Sequence, residues 1–134
     1  MNYLLDTDQI IHYLKGESHV VERLNKLLAL ANSFFISVIT IAEYYQGAHA
    51  SLNKQRELKL FNEFLKIAEI EVISIDENIA KEYGRMQGVL QRQGLKGSGF
   101  DMLIAAVCLV HNFTLITGNK KDFRRVKELL LFED

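Results

Sequence analysis

The sequence predicts an α/β fold, a mostly parallel sheet of four to five strands covered by helices on both faces. Three observations lead there. Residues 1–5 form a short apolar run that meets Asp6-Thr7-Asp8 and passes at once into Ile10, Ile11 and Leu14 at helical spacing. Short β-branched or aromatic runs then alternate with longer amphipathic stretches, the pattern of strand–helix units whose strands lie parallel. One stretch, Met102 to Val110, is apolar all round, as a helix at the centre of a fold must be.

Taken in order, Met1 to Leu5 are the first strand, and Gln9 to Leu14 a short helix closed by Gly16. Asp8 is the expected cap of that helix, which leaves Asp6 over. Ser18 is the expected N-cap of a second helix carrying Val21, Leu24, Leu27, Leu28 and Leu30. Phe34 to Val38 read as a second strand. A helix starts near Thr40 and carries Glu43 before Gly47. A longer one from about Leu52 to Ile67 shows an apolar face of Leu58, Phe61, Phe64, Leu65 and Ala68. Val72 to Ile75 make the third strand. Asp76 caps a helix bearing Ile79, Tyr83, Met86 and Leu90. A glycine-rich loop, Gly94 to Gly99, leads to Ser98-x-x-Asp101, a capping box with a shorter acid, at the head of the apolar helix. Phe113 to Ile116 are the fourth strand, Thr117-Gly118-Asn119 its loop, Asp122 to Lys127 a helical turn with Asp122 as local cap, and Leu129 to Phe132 a short edge strand.

The chain has 134 residues, no proline and no evident linker or repeat, so one domain over 1–134 is expected. About half the residues are apolar (49%) and 25% are charged, which fits a globular protein able to hold a core without staples. The single cysteine, Cys108, excludes a disulfide within the chain and favours a reducing compartment. No CxxC or HxxxH spacing suggests zinc. No basic segment or cleavage site precedes the first strand, and no apolar run is long enough to span a membrane, so a cytoplasmic protein is expected. A formal net charge of −1 argues against nucleic-acid binding by bulk positive charge. It leaves room for a metal-dependent nuclease, in which carboxylates lower the net charge while a bound cation reverses the local field.

In parallel sheets ligands bind beyond the carboxyl ends of the strands. Asp6 stands there. Glu43 follows the second strand among Ile41, Ala42, Tyr44 and Tyr45, neighbours that leave little room for a wet carboxylate. Asp101 opens the central helix; an acid there is also favoured by the macrodipole, and for this residue alone capping is the stronger reading. Asn119 follows the fourth strand in an ordinary Gly-Asn turn, yet its carbonyl is a hard donor suited to Mg²⁺ or Mn²⁺. Three carboxylates so placed could not all stay ionised unaided; a divalent cation neutralises them, and a water on it is a natural nucleophile for a phosphodiester.

Leu4-Leu5-Asp6-Thr7-Asp8, Thr40-Ile41-Ala42-Glu43, Asp101-Met102-Leu103-Ile104-Ala105-Ala106 and Leu115-Ile116-Thr117-Gly118-Asn119-Lys120-Lys121-Asp122-Phe123 resemble the signature segments of PIN domains. The likeness runs the length of the chain and is closest to the VapC-type toxins of toxin–antitoxin pairs. It implies a three-layer α/β/α sandwich, endoribonuclease activity dependent on Mg²⁺ or Mn²⁺, a homodimer and a cognate antitoxin. Asp6, Glu43 and Asp101 fall on the family's acidic positions, and Asn119 on a fourth that is Asp in many members. Thr117 matches a small hydroxyl residue near the site, Asp122 a variable acidic residue, and Phe123 an aromatic that packs the loop. The expected mechanism has Asp6, Asp101 and Asn119 holding the cation while Glu43 orients or deprotonates the attacking water. Lys120, Lys121, Arg124, Arg125 and Lys127 are either a solvated face or a guide for RNA.

Two other classes compete. Asp6-Thr7-Asp8 after a strand also resembles the nucleophile motif of haloacid-dehalogenase-type phosphatases, with Ser37 as their second motif, but that reading leaves Glu43 and Asp101 idle. A non-enzymatic protein-binding module would keep the acids only to anchor a partner's arginine.

Overall fold

The computed structural model describes residues 1–30 and 32–134. Five strands form one sheet: β1 (Asn2–Leu5), β2 (Ser33–Ser37), β3 (Glu71–Ile73), β4 (Thr114–Ile116) and β5 (Leu130–Leu131). They lie in the order β3-β2-β1-β4-β5, and every pair is parallel. β1 is central, with Leu4 opposite Phe35 on one side and Leu115 on the other.

The alternation of side chains along each strand divides the core in two. Leu4 and Leu115 face one layer, with Met102, Ile104, Ala105, Ile79 and Met86. Tyr3, Leu5, Phe34, Ile36 and Ile116 face the other, with Ile10, Leu24 and Phe61. The first layer is α5 (Glu77–Arg92) and α6 (Gly99–His111). The second is built by α1 (Thr7–Leu14), α2 (Ser18–Ala29), α3 (Val38–Ala50) and α4 (Lys54–Ile67). Both faces of the sheet are therefore covered, and the inner strands β1, β2 and β4 are apolar apart from their end residues for that reason. Helix α6 buries six consecutive or near-consecutive residues, Met102 and Ile104 to Cys108, so its lack of a polar face is the signature of its position. A last helical turn, α7 (Lys120–Phe123), follows β4 and buries Phe123 completely.

Several local expectations are corrected. Asp8 does not cap α1. The helix starts at Thr7, directly off the strand, so Asp6 occupies the cap position and its Oδ1 accepts from the Thr7 N–H at 2.8 Å. Ser18 is the first residue of α2; Glu17 is at the cap position, without a side-chain bond. Leu30 lies beyond that helix and is exposed. Val38 belongs to α3, not to the strand, because β2 passes into its helix with no intervening loop. Helix α4 starts at Lys54, leaving Leu52 in solvent. Ser98 stands at the α6 cap position, but its hydroxyl makes no capping bond, so the capping box does not form. The turn after β4 is Lys120–Phe123, and Asp122 lies inside it rather than capping it. Asp76 caps α5 as expected, accepting from the Ile79 N–H at 2.9 Å.

The chain runs outward from β1 through β2 to β3, then returns to β4 on the other side of β1. The crevice at such a switch point lies between the carboxyl ends of β1 and β4. There the Asp6 N–H donates to the Ile116 carbonyl at 3.0 Å, tying the two strand ends together.

Candidate active site

Asp6 is buried (6% exposed) at that crevice. Its Oδ1 caps α1, and its Oδ2 accepts from the Thr117 hydroxyl at 2.7 Å. Thr117 is itself buried at the end of β4, and its Oγ1 accepts from the Asn119 N–H at 2.9 Å. Thr117 thus links the deepest carboxylate to the loop that follows β4.

Asn119 extends from this loop toward α6. Its Nδ2 lies 3.1 Å from Asp122 Oδ2 and 3.4 Å from Asp101 Oδ2. As oriented, Asn119 bridges two carboxylates as a donor; its carbonyl oxygen is the atom to which the sequence reading gave the metal. Asp101 is half-buried in the first turn of α6. Glu43, on α3, is half-buried and accepts from the Thr7 hydroxyl at 2.5 Å. Thr7 in turn lies 3.0 Å from the hydroxyl of Thr40, which is wholly buried. The Glu43 carboxylate only accepts, so the single proton of Thr7 goes to it and Thr40 donates to Thr7.

The electrostatics are those of crowded acids. Burial pushes the Asp6 carboxyl up to about 7, against the Thr117 hydroxyl bond that favours its ionised form; Asp8 adds repulsion, the Thr7 N–H opposes it, and Asp101 adds a little more. The Asp101 carboxyl is raised as well, first by burial and then by Glu43, Asp122 and Asp8. No lysine or arginine enters the balance of either group. Oxygen donors raised by mutual repulsion, with no resident cation, are the chemistry that a hard divalent ion satisfies. Among the described residues no three acidic, histidine or cysteine side chains already stand as a ligand set. An ion here would be held partly through water, which Mg²⁺ keeps readily.

The structure thus brings Asp6, Glu43, Asp101, Thr117, Asn119 and Asp122 to one edge of the sheet. It adds three residues to which the sequence assigned no part in the site. Thr7 and Thr40 orient Glu43; their only signal was position, one beside Asp6 and one three residues before Glu43 on the same helix. Asp8 accepts from the Gly118 N–H at 3.0 Å and so anchors the loop after β4. A Cβ on Gly118 would stand 2.7 Å from Asp8 Oδ2, so only glycine allows that approach.

Of the basic residues, Lys120 and Arg124 pair with Glu133 at 3.2 Å each, and Arg125 pairs with Asp122 at 3.6 Å; Lys121 is exposed. The aromatic residues of α4 are core: Phe61 is fully buried and stacks on Tyr44, centroids 4.3 Å apart. A cavity of about 510 Å³ between α1, α3 and α4 meets the acidic cluster only at Glu43. Ser37 is fully buried, and its hydroxyl finds no partner among the described residues. It therefore cannot serve the phosphatase reading, in which it must touch a substrate phosphate.

A parallel five-stranded α/β/α sandwich with Asp6, Glu43, Asp101 and Asp122 gathered at the carboxyl edge of its sheet is the arrangement of a PIN domain. Residues 3–129 match the PIN-domain family model, and the chain belongs to the PIN-domain family. Within it, the similarity runs to the VapC group. Ribonuclease VapC1 of Haemophilus influenzae is 33% identical over 130 residues, covering 96% of this chain and 95% of that one. Ribonuclease VapC2 of Rickettsia felis is 30% identical over 131 residues, 98% of this chain and 96% of that one. The fold agrees with that of a chain in the crystal structure of VapBC2 from Rickettsia felis bound to a promoter DNA fragment, at TM-score 0.89 and 31% identity over 98% of both chains.

Proposed function

We propose that this chain is an endoribonuclease dependent on Mg²⁺ or Mn²⁺, and the toxin of a toxin–antitoxin pair. The observation that carries this reading is the convergence of Asp6 and Asp101 at the β1–β4 crevice, both raised by burial and by neighbouring acids with no cation to relieve them. The relatives named as ribonucleases support RNA as substrate, and a tRNA(fMet)-specific endonuclease VapC of Salmonella typhimurium, 29% identical over 127 residues, is among them. Neighbours solved as VapBC complexes support a cognate antitoxin as partner. A homodimer is what the family resemblance implies, and the single cysteine favours a reducing cytosol; no helix of the described residues is long and apolar enough to cross a membrane.

In this mechanism Asp6 and Asp101 would hold the cation, and the Asn119 carbonyl would be a further oxygen donor. When bound, the ion supplies charge neutralisation at the scissile phosphate and lowers the pKa of a water. Thr117 and the Thr7 N–H fix the Asp6 carboxylate in one rotamer. Glu43, turned by the Thr7 hydroxyl, takes the proton of the attacking water. The Asn119 amide donates to Asp101 and is itself held by Asp122.

The test is cleavage of total RNA by the chain purified free of any partner. Discrete cuts are expected with Mg²⁺ or Mn²⁺ and none with chelator. Asp6→Ala and Asp101→Ala should each lower the rate by about 10²–10³-fold, the range for losing one electrostatic stabiliser of the transition state, with an unchanged circular dichroism spectrum. Full activity in a highly purified Asp101→Ala protein would overturn the assignment.

A further inference from the structure

The carboxyl edge of the sheet carries a second charged feature beside the acidic cluster. Strand β5 is parallel to β4, so residues 132–134 leave the sheet at the same edge as Asp6 and Thr117. The Phe132 N–H donates to the Leu115 carbonyl at 2.9 Å and fixes this exit. Beyond it, Glu133 and Asp134 each lie against two basic side chains. Glu133 accepts from Lys120 Nζ and Arg124 Nη2, both at 3.2 Å. Asp134 accepts from Arg23 Nη1 at 3.0 and 3.2 Å and lies 3.0 Å from His19 Nε2.

These basic groups are built in to different degrees. The Arg23 side chain is only 13% exposed, lies 5.9 Å from the Phe132 ring centroid, and bonds to Gln9. Gln9 is buried and donates to Asp8, the residue that anchors Gly118. Lys120 is 25% exposed and directly follows Asn119. The Glu133 and Arg124 side chains, by contrast, are 58% and 60% exposed. Ion pairs so exposed are weak and exchange readily for another anion.

We propose that His19, Arg23, Lys120 and Arg124 form a track for the backbone phosphates of RNA, and that Glu133 and Asp134 occupy it in the free protein as a tethered competitor. This rests on the nuclease reading above. A chain of net charge −1 with an acidic centre repels a polyanion, so the substrate needs local basic groups at the rim. The track supplies them where they are useful, since Lys120 directly follows Asn119 and so ends the track beside the site. RNA entering the track displaces two carboxylates and releases no cation from the site.

The test compares the wild type with Glu133→Gln/Asp134→Asn, and with Glu69→Gln/Glu71→Gln as a control of equal charge change. Glu69 and Glu71 lie at the amino end of β3, on the opposite edge of the sheet. Binding of a single-stranded RNA of about 12 nucleotides is read by fluorescence anisotropy in chelator at about 50 mM and 200 mM salt; cleavage is read separately with Mg²⁺. The tail variant should bind roughly three- to tenfold tighter at the lower salt and lose most of that gain at the higher, as exchange of exposed ion pairs requires. The control should match the wild type. Lys120→Gln/Arg124→Gln should weaken binding more in the tail-neutral protein than in the wild type. An equal gain in both acid-neutral proteins, or no gain in either, overturns the track. So does tighter binding of poly-glutamate without a gain for RNA, which would make the rim a docking face for an acidic peptide. If the nuclease reading itself is wrong, the wild type fails to cleave with Mg²⁺ at any salt, an outcome distinct from intact cleavage with unaltered binding.

Discussion

Burial holds the Asp6 carboxyl near 7 although the Thr117 hydroxyl and the Thr7 N–H both favour its ionised form. A carboxyl raised in this way makes folding depend on pH in a defined direction. Below the unfolded value, about 4, both states carry the proton and Asp6 contributes no slope. Between there and about 7 the native state keeps a proton that the unfolded state has lost, so stability falls as pH rises through this window and the full penalty stands above it. In chelator, the wild type should therefore lose more thermal stability between pH 5 and pH 8 than Asp6→Asn does, by thermal denaturation. An identical loss in the two proteins would show that Asp6 is not protonated in the native state. The same residue shows why the site was only partly legible. Its place at a strand end marked it as functional, but the cap was given to Asp8. The helix starts one residue after the strand ends, so a single side chain both caps the helix and stands at the crevice.

The loop between β4 and α7 is the element on which the site depends, since it presents Thr117 and Asn119. Asp8 and the Gly118 N–H hold it from α1. Gly118→Ala would put a Cβ 2.7 Å from Asp8 Oδ2 and drive that carboxylate off the loop. The expected cost is about 1 kcal/mol of stability, one hydrogen bond's worth, with a drop in kcat of about tenfold or more as Asn119 moves. Gly84→Ala, inside α5 with open space at its Cβ, should instead stabilise by about 0.5–1 kcal/mol. Denaturant titration and single-turnover cleavage read both; a neutral Gly118→Ala in both assays would remove Asp8 from the account. Elements with strong periodicity were legible, as the apolar α6, the Phe61–Phe64 face and the Asp76 cap show. The Asp8–Gly118 contact was not, because its partners lie 110 residues apart and neither carries a local pattern that names the other. The caps of α2 and α6 failed for a related reason. Ser18 and Ser98 have the right chemistry, but whether a hydroxyl turns back to the helix is decided by backbone geometry around it.

Parallel topology at the scale of the whole molecule does most of the assembly. Because all five strands run the same way, whatever follows each carboxyl end arrives at one edge: Asp6 after β1, α3 with Glu43 after β2, the Thr117–Asn119 loop after β4, and the acidic tail after β5. Asp101 joins them because α6 starts at that edge, where Asn119 Nδ2 lies 3.4 Å from its carboxylate. The sequence made this edge predictable in outline from strand–helix alternation alone. It placed Lys120 and Arg124 beside that edge but did not show that Arg23 and Asp134 would join them, since these two are as remote in the chain as they are close in space. The central claim is that the acids at the β1–β4 crevice are a site for a divalent cation. Direct titration of the partner-free protein with Mn²⁺, followed by calorimetry, tests it without reference to any RNA. The account predicts saturable binding that is competed by Mg²⁺ and lost in Asp6→Asn and in Asp101→Asn, with both variants still folded. Absence of Mn²⁺ binding by the folded wild type, or undiminished binding in the Asp101→Asn protein, would contradict it.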